Sequence, residues 1–151
     1  MSFDPAATRA LGGRNVAVAQ LGFGTAPFGS MAPHDTDATV KQAFDRASAA
    51  GLRYFDTAPF YGLGLAEHRL GACLRRIDRR SVVVSTKIGR LMKPRGGGTA
   101  AGPVAGESAF EVAFDYSYDG TLRSLQHSLQ RLGTNAIDVV LIHDVNRRWQ
   151  G

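Results

Sequence analysis

Short apolar runs alternate with helical hydrophobic stripes along this sequence, and this alternation limits the possible folds more than any other feature. Candidate strands occupy residues 21–25, 53–56, 81–87 and 137–143. Between them, apolar side chains recur every three or four residues, at Val40, Phe44 and Ala47, at Ala66, Leu70 and Leu74, and at Leu122, Leu125, Leu129 and Leu132. Such spacing predicts helices. Strands and helices in strict alternation predict a parallel sheet with helical crossovers.

Local signals mark the ends of several elements. The stretch 35–37 supplies an N-cap for the first helix, and Gly51 and Gly133 follow the last turns of the first and third helices. A glycine pair at 12–13 precedes the apolar run 16–18, which predicts a small hairpin near the start of the chain.

Two later segments depart from the simple pattern. Segment 89–117 is rich in glycine and shows no sustained period, so we expect a long, mobile loop after the third strand of the alternation. The run 137–142 is nearly all apolar, which predicts a strand covered on both faces.

The composition suits a single unit spanning residues 1–151, with 44% hydrophobic and 21% charged residues. This balance excludes a disordered chain, and no apolar run approaches the ~20 residues that a membrane helix needs. The N-terminus lacks the charged-then-apolar pattern of a secretion signal, so we expect a cytoplasmic protein. The single cysteine, Cys73, excludes an internal disulfide framework and a multi-cysteine metal site.

The net charge of +5 raises the question of an acidic partner, because arginines cluster at 75, 76, 79 and 80. Such a patch suits nucleic acid or phosphate, and it equally suits a solvated helix end, where the dipole favours cations. We favour the helix end, because no aromatic residues interleave with these arginines and no nucleic-acid motif accompanies them. We therefore expect neither a nucleic acid nor a membrane as partner.

Polar residues close three of the predicted strands: Asp56, Lys87 and His143. The C-terminal ends of parallel strands lie at one edge, where α/β sheets and barrels place their active sites, so we expect these side chains to converge. A charged group at the end of an apolar strand needs a partner, and the simplest pair is Lys87 with Asp56. Tyr61, in the loop 57–62, leaves the same edge.

Together these side chains are suited to moving protons. An ammonium beside a phenol favours the ionised phenol, so Tyr61 next to Lys87 would exchange protons near neutral pH, and His143 would hold a carbonyl or hydroxyl oxygen. The set contains no activated Ser or Cys nucleophile, no metal cluster, and nothing that accepts or delivers a hydride. A redox reaction here needs an external cofactor. Taken singly, each of these residues has a plain structural explanation, and only their convergence favours a site.

The motifs around these residues resemble those of the aldo-keto reductase superfamily. They are LGFGT at 21–25, FDTAPFYG at 55–62, STK at 85–87 and LIHD at 141–144. The resemblance implies an oxidoreductase with a (β/α)8 TIM barrel that uses a nicotinamide cofactor, NADP or NAD.

The same resemblance implies a role for each polar residue. The catalytic tetrad of the superfamily corresponds to Asp56, Tyr61, Lys87 and His143. Tyr61 is then the general acid in reduction and the base in oxidation. Lys87, held by Asp56, tunes it, and His143 positions the substrate oxygen. Positions near the nicotinamide end of the cofactor correspond to Gly24, Thr25 and Asp56.

Two stretches, FDYSYDG at 114–120 and LIHDV at 141–145, are similar to the sugar and pyridoxal dehydrogenases of the superfamily. This narrower resemblance implies hydride transfer between nicotinamide and a sugar lactol or an aldehyde. The substrates it implies are aldoses such as fucose or galactose, or pyridoxal, which are oxidised to lactones.

The sequence departs from the family pattern in two ways. Ala66 stands where many members carry serine before the glutamate, here Glu67. More importantly, only about four strands of an eight-stranded barrel are predicted, so the chain resembles the N-terminal half of the barrel. In the family, the second half binds the adenosine and the 2′-phosphate of the cofactor. The alternative hypothesis is a truncated, catalytically incompetent fragment that acts as an interaction or folding unit and self-associates through open sheet edges.

Overall fold

A computed structural model describes residues 4, 7–12, 16–95 and 108–145 of the chain. The strands are β1 (Thr8–Leu11), β2 (Val16–Ala19), β3 (Phe23–Gly24), β4 (Tyr54–Asp56), β5 (Val83–Ile88), β6 (Arg90–Pro94), β7 (Phe110–Phe114) and β8 (Val139–Ile142). The α-helices are α1 (Asp37–Ala49), α2 (Leu65–Leu74) and α3 (Tyr118–Leu132), and 3₁₀ turns cover Ala26–Gly29 and Arg79–Ser81. Within these ranges, no helix combines the length and the apolar character that crossing a bilayer requires.

Strands β3, β4, β5 and β8 form a parallel sheet in that order, which confirms the predicted alternation. In the register of the sheet, Gly24 lies opposite Asp56, Asp56 lies opposite Ser85, and Lys87 lies opposite Leu141. The helical crossovers return the chain to the same end of the sheet each time. The C-terminal ends of all four strands therefore lie along one edge.

Helices α1 and α3 each begin at a residue whose side chain caps the first turn. The Thr36 hydroxyl, inside the predicted capping stretch, accepts a hydrogen bond from the backbone N–H of Thr39 at 3.2 Å at the start of α1. Ser117 caps α3 in the same way, accepting from the N–H of Gly120 at 3.1 Å. Gly133 ends α3 with φ +63°, a left-handed conformation that glycine adopts without steric cost.

The hydrophobic core lies between the helices and strands β4 and β5. Phe44 of α1 stacks on Phe55 of β4 with ring centroids 4.8 Å apart. Leu70 of α2 and Leu132 of α3 are fully buried in the same cluster. Because burying side chains of this size contributes about 1.5–3 kcal/mol each, this cluster holds the helices against the sheet.

Helix α3 packs through small residues and not through most of its leucines. Gly120, Ser124 and Ser128 are buried along with Leu132, whereas Leu122 is exposed. A Cβ at Gly71 of α2 would lie 2.4 Å from the carbonyl oxygen of Leu132, so the two helix backbones are in close contact. The leucine stripe correctly predicted the helix, but of its four leucines Leu132 is buried, Leu125 and Leu129 are half-buried, and Leu122 is exposed.

The expectation that the last strand is covered on both faces is wrong for the described residues. Val140, Leu141 and Ile142 are exposed, at 43%, 41% and 63% respectively. The reason is that, among the residues that the structure describes, β8 is the last strand of the parallel sheet and pairs with β5 alone. Within that part of the chain, the apolar side chains of β8 are therefore left partly uncovered.

Segment 89–117 is not a loop throughout, which corrects the expectation drawn from its glycines. Strands β6 and β7 pair antiparallel at its two ends, with Arg90 opposite Phe114 and Pro94 opposite Phe110. In β7, every second residue is a large apolar one, which is a strand pattern. The glycine-rich residues in the middle of segment 89–117 obscured this pattern. Residues 96–107 lie outside the described residues. We call the β6–β7 pair the ribbon.

The predicted N-terminal hairpin is confirmed. Strands β1 and β2 pair antiparallel, with Leu11 opposite Val16. Gly12 has φ +60° directly after β1, which is the conformation that a tight turn demands of glycine. Gly13 lies outside the described residues.

Candidate active site

The edge formed by the strand ends gathers all four polar side chains singled out in the sequence. Asp56 is the last residue of β4, Lys87 is the penultimate residue of β5, and His143 follows β8 directly. Tyr61 reaches them from the turn between β4 and α2. The predicted convergence is therefore present in the fold.

Lys87 and Asp56 form a direct ion pair at this edge. Lys87 Nζ donates to Asp56 Oδ2 at 2.6 Å and to the Thr57 carbonyl oxygen at 2.9 Å. The second carboxylate oxygen, Asp56 Oδ1, accepts from Ser85 Oγ at 2.6 Å. Burial lowers the pKa of Lys87, but its interactions with Asp56 and Tyr61 outweigh burial and raise the pKa above the ordinary value. The ammonium is thus firmly protonated and fixed in position.

The Tyr61 ring lies close to both the ammonium and the imidazole. Lys87 Nζ is 4.7 Å from the ring centroid, and the His143 ring stands edge-on to it with centroids 5.7 Å apart. The turn that carries Tyr61 packs tightly on the first 3₁₀ turn, since a Cβ at Gly29 would lie 2.4 Å from the Tyr61 carbonyl carbon. Gly62 adopts φ +62°, and both glycines are needed for this contact.

His143 is buried and its imidazole is kept uncharged near neutral pH. Burial lowers the pKa of His143, and the nearby Arg90 cation lowers it further. Nδ1 is buried and has no hydrogen-bond partner among the described residues. The backbone is anchored by Tyr116, whose hydroxyl donates to the His143 carbonyl oxygen at 2.8 Å.

The residues singled out as cofactor neighbours lie at the same edge but differ in accessibility. Gly24 is exposed, and the space a Cβ would take there is open, with no atom within 4 Å. Thr25 is fully buried, and its hydroxyl donates to the Asp56 carbonyl oxygen at 2.9 Å. Gly24 thus offers open backbone against which a flat ring can lie, whereas the Thr25 side chain holds Asp56 in place.

No role was assigned from the sequence to two charged residues beside the site, Arg90 and Asp144, although Asp144 closes one of the motifs. Arg90 Nη2 donates to Asp144 Oδ2 at 2.5 Å, and the guanidinium lies 4.4 Å from the centroid of the Phe60 ring. A signal was available, because a cation between the apolar residues Ile88 and Leu91 needs a partner. The carboxylate that pairs with this cation, that of Asp144, lies 54 residues further along the chain.

The arrangement can hold and transfer a proton at the Tyr61 oxygen and can hydrogen-bond a substrate oxygen through His143. Among the described residues, no group of three or more His, Cys, Asp or Glu could hold a metal ion. The chemistry that these side chains support by themselves is acid–base chemistry.

Comparison with known proteins identifies the family. Residues 20–150 match the Aldo/keto reductase family. The chain belongs to this family. It is 41% identical to pyridoxal 4-dehydrogenase of Microbacterium luteolum, over 92% of this chain and 43% of that protein. It is 38% identical to D-threo-aldose 1-dehydrogenase of a Pseudomonas species, over 97% of this chain and 45% of that protein.

Solved structures of aldo-keto reductases share the fold. One from Bacillus halodurans has a TM-score of 0.68 at 26% identity, over 89% of this chain and 39% of that one. One from Klebsiella pneumoniae in complex with NADPH has a TM-score of 0.55 at 29% identity, over 85% of this chain and 36% of that one. The predicted fold class, half of a TIM barrel of the aldo-keto reductase kind, is confirmed. The chain spans less than half the length of these relatives.

Proposed function

We propose that this chain forms the catalytic half of an NAD(P)-dependent oxidoreductase that acts on a sugar lactol or an aldehyde, as an aldose or pyridoxal dehydrogenase does. One observation carries the proposal: the Lys87 ammonium lies between the Asp56 carboxylate, at 2.6 Å, and the Tyr61 ring, at 4.7 Å from its centroid. His143 stands edge-on to the same ring, so one small space borders a proton donor and a hydrogen-bonding imidazole.

Each side chain then has a distinct role in the proposed reaction. Tyr61 gives its proton to the carbonyl oxygen in reduction and takes a proton from the hydroxyl group in oxidation. Lys87 places its cation beside the Tyr61 ring, and Asp56 fixes the ammonium there. His143, as a neutral imidazole, donates a hydrogen bond to the substrate oxygen and orients it.

A nicotinamide cofactor would supply or accept the hydride when bound, since no side chain of the site can do so. The described residues fit its nicotinamide end. Gly24 provides open backbone at the strand edge, and Asp56 borders the same space. The Thr25 hydroxyl holds Asp56 by donating a hydrogen bond to its carbonyl oxygen. The relatives named for aldose and pyridoxal oxidation support the substrate class. A cytoplasmic location and a small-molecule partner belong to the same proposal.

The test is a substrate screen on the complete gene product that contains this chain. Fucose, galactose, arabinose and pyridoxal are each offered with NAD⁺ and with NADP⁺, and cofactor reduction is followed by absorbance. Turnover of at least one of them supports the proposal. Absence of turnover with all of them, in protein that binds either cofactor, contradicts the substrate class.

A second candidate function is an interaction or folding unit without catalytic competence. The uncovered apolar residues of β8 favour it, because an exposed apolar strand at a sheet edge invites association. Fluorescence titration of the 151-residue chain itself with NADPH and NADH separates the two. Saturable binding favours the catalytic half, and its absence favours the interaction unit.

A further inference from the structure

Ser85 is a fully buried serine beside the ion pair of the proposed active site, and no role has been assigned to it so far. It lies opposite Asp56 in the register of the parallel sheet, and its Oγ donates to Asp56 Oδ1 at 2.6 Å. A hydrogen bond from a hydroxyl group to a carboxylate is short and about twice as strong as a bond between neutral groups. The contact is therefore strong enough to fix the orientation of the carboxylate.

Two side chains of β5 bind this carboxylate, one at each oxygen atom. Ser85 and Lys87 are two residues apart on the strand, so their side chains lie on the same face of the sheet. Lys87 Nζ donates to Asp56 Oδ2 at 2.6 Å. Thr86, between them, points to the other face and donates to Glu67 Oε1 at 2.7 Å. A carboxylate that is bonded at both oxygens cannot rotate about its Cβ–Cγ bond without breaking one of the two hydrogen bonds.

The fixed carboxylate in turn orients the ammonium. A lysine ammonium has three N–H donors, and those of Lys87 bind Asp56 Oδ2 and the Thr57 carbonyl oxygen at 2.6 and 2.9 Å. One donor is left for Tyr61, whose ring centroid lies 4.7 Å from Nζ. Burial lowers the pKa of Lys87, but hydrogen bonding to Asp56 and Tyr61 outweighs burial and raises it. The direction of the third N–H bond therefore depends on where the other two are held.

We propose that Ser85 is a positioning residue: its hydroxyl fixes the Asp56 carboxylate, and this keeps one N–H bond of the Lys87 ammonium directed at the phenol. The role rests on the proposed function, in which Tyr61 transfers the proton. Ser85 acts through the carboxylate and the ammonium, and it does not touch the reacting atoms. Without its hydroxyl the ion pair remains, but the carboxylate can rotate and the ammonium loses its fixed direction.

The first test measures by NMR how firmly the ammonium is held, using the 151-residue chain labelled at lysine Nζ. The chain has three lysines, and the Lys87 signal is assigned by its loss in Lys87→Met. The Nζ protons exchange slowly with water only while the ammonium stays buried and hydrogen-bonded. We expect Ser85→Ala to speed this exchange about tenfold, as the loss of a hydrogen bond to a charged group produces. Ser85→Thr, which keeps the hydroxyl group, is expected to stay close to the wild type.

Ser124→Ala is the matched control for the loss of a buried hydroxyl group. Ser124 of α3 is 1% exposed, and its Oγ has no hydrogen-bond partner within the described residues. Its replacement is expected to leave the exchange at Lys87 unchanged. The proposal is overturned if exchange in Ser85→Ala matches the wild type, or if it rises equally in Ser124→Ala. Where circular dichroism shows that Ser85→Ala does not fold, Ser85→Cys takes its place with the same expected outcomes, because a thiol is only a weak donor.

The second test uses the complete gene product that contains this chain, with a substrate that it turns over. We expect Ser85→Ala to lower kcat about tenfold, because a small misplacement of a catalytic group slows the chemical step. KM should stay unchanged, since Ser85 is buried and does not contact the substrate. A fall in KM affinity with kcat unchanged overturns the proposal. The exchange measurement uses neither cofactor nor substrate, so it decides whether Ser85 holds the ammonium even if the proposed oxidoreductase activity is not found.

Discussion

Lys87 Nζ donates to Asp56 Oδ2 at 2.6 Å across 31 residues of sequence, and this contact joins the ends of β4 and β5. Because neighbouring strands of one sheet hold both groups, their relative position does not depend on a loop. The ammonium also lies 4.7 Å from the centroid of the Tyr61 ring. A change at any of these three side chains is therefore expected to alter the environment of the other two.

Replacing Tyr61 by Phe removes the proposed proton donor and keeps the ring. We expect turnover by the complete protein to fall about 10²–10⁴-fold, the usual contribution of a positioned acid or base. The dissociation constant for NADPH should stay unchanged, because the ring still fills its place. Tyr118→Phe, at a tyrosine that is 79% exposed, is the matched control. Wild-type turnover in Tyr61→Phe would show that another group transfers the proton.

Lys87 is expected to make the folded protein lose stability at high pH. Burial lowers its pKa, but Asp56 and Tyr61 outweigh burial and raise the pKa above its ordinary value, so the folded state binds this proton more tightly than the unfolded state. The stabilisation is fully present below about pH 10.5 and is lost as pH rises through the folded value. Urea unfolding at pH 8 and pH 11 should therefore show a larger loss of stability for wild type than for Lys87→Met. Equal losses would contradict the ion pair, and Lys41→Met at an exposed pair serves as control.

His143 is expected to make the folded protein lose stability as the pH falls into the mildly acid range, which is opposite to the effect of Lys87. Burial and Arg90 lower its pKa below the ordinary value of 6.5, so the unfolded state binds the proton more tightly. The contribution to stability is complete above about pH 6.5 and is lost as pH falls below it. Between pH 7.5 and pH 5.5, wild type should lose more unfolding free energy than His143→Gln. His68→Gln, at an exposed histidine, should behave as wild type. The prediction fails if the two pH dependences coincide.

A fully buried carboxylate links α2, β5 and α3. Glu67 Oε2 accepts from Arg131 Nε at 2.6 Å, and Oε1 accepts from Thr86 Oγ1 at 2.7 Å. Arg131→Met leaves this carboxylate uncompensated, which is expected to cost about 3–5 kcal/mol of unfolding free energy. The double variant with Glu67→Gln should lose less than the sum of the two single variants. Arg123→Met, at an exposed ion pair, should cost about 1 kcal/mol or less.

The edge strand β8 is expected to drive self-association of the chain. Ile142 is 63% exposed at the open edge of the parallel sheet. A lysine there discourages edge-to-edge pairing, so Ile142→Lys should lower the weight-average mass in sedimentation velocity at the same protein concentration. Met31→Lys changes an apolar side chain that is 73% exposed but lies outside the strands, and it is the control. Equal association of the two variants would locate the contact elsewhere.

The sequence predicted the parallel sheet, its helices and the convergence of Asp56, Tyr61, Lys87 and His143, because these depend on local periodicity and on which residues end each strand. Asp56, Lys87 and His143 each close an apolar run, and parallel topology alone brings such ends together. The cap at Thr36 and the stop at Gly133 are equally local, since each acts within one helical turn. Such features can be recognised without knowing what packs against them.

The remaining features of the fold and of the site were decided by the tertiary structure, because they depend on contacts between segments that are distant in the sequence. The pairing of β6 with β7 and the ion pair of Arg90 with Asp144 join residues that no local pattern relates. The packing face of α3, which buries Gly120, Ser124 and Ser128 with Leu132, was set by the elements that pack against the helix. Burial of β8 likewise depended on which strand lies beside it, and an apolar composition does not specify its neighbour.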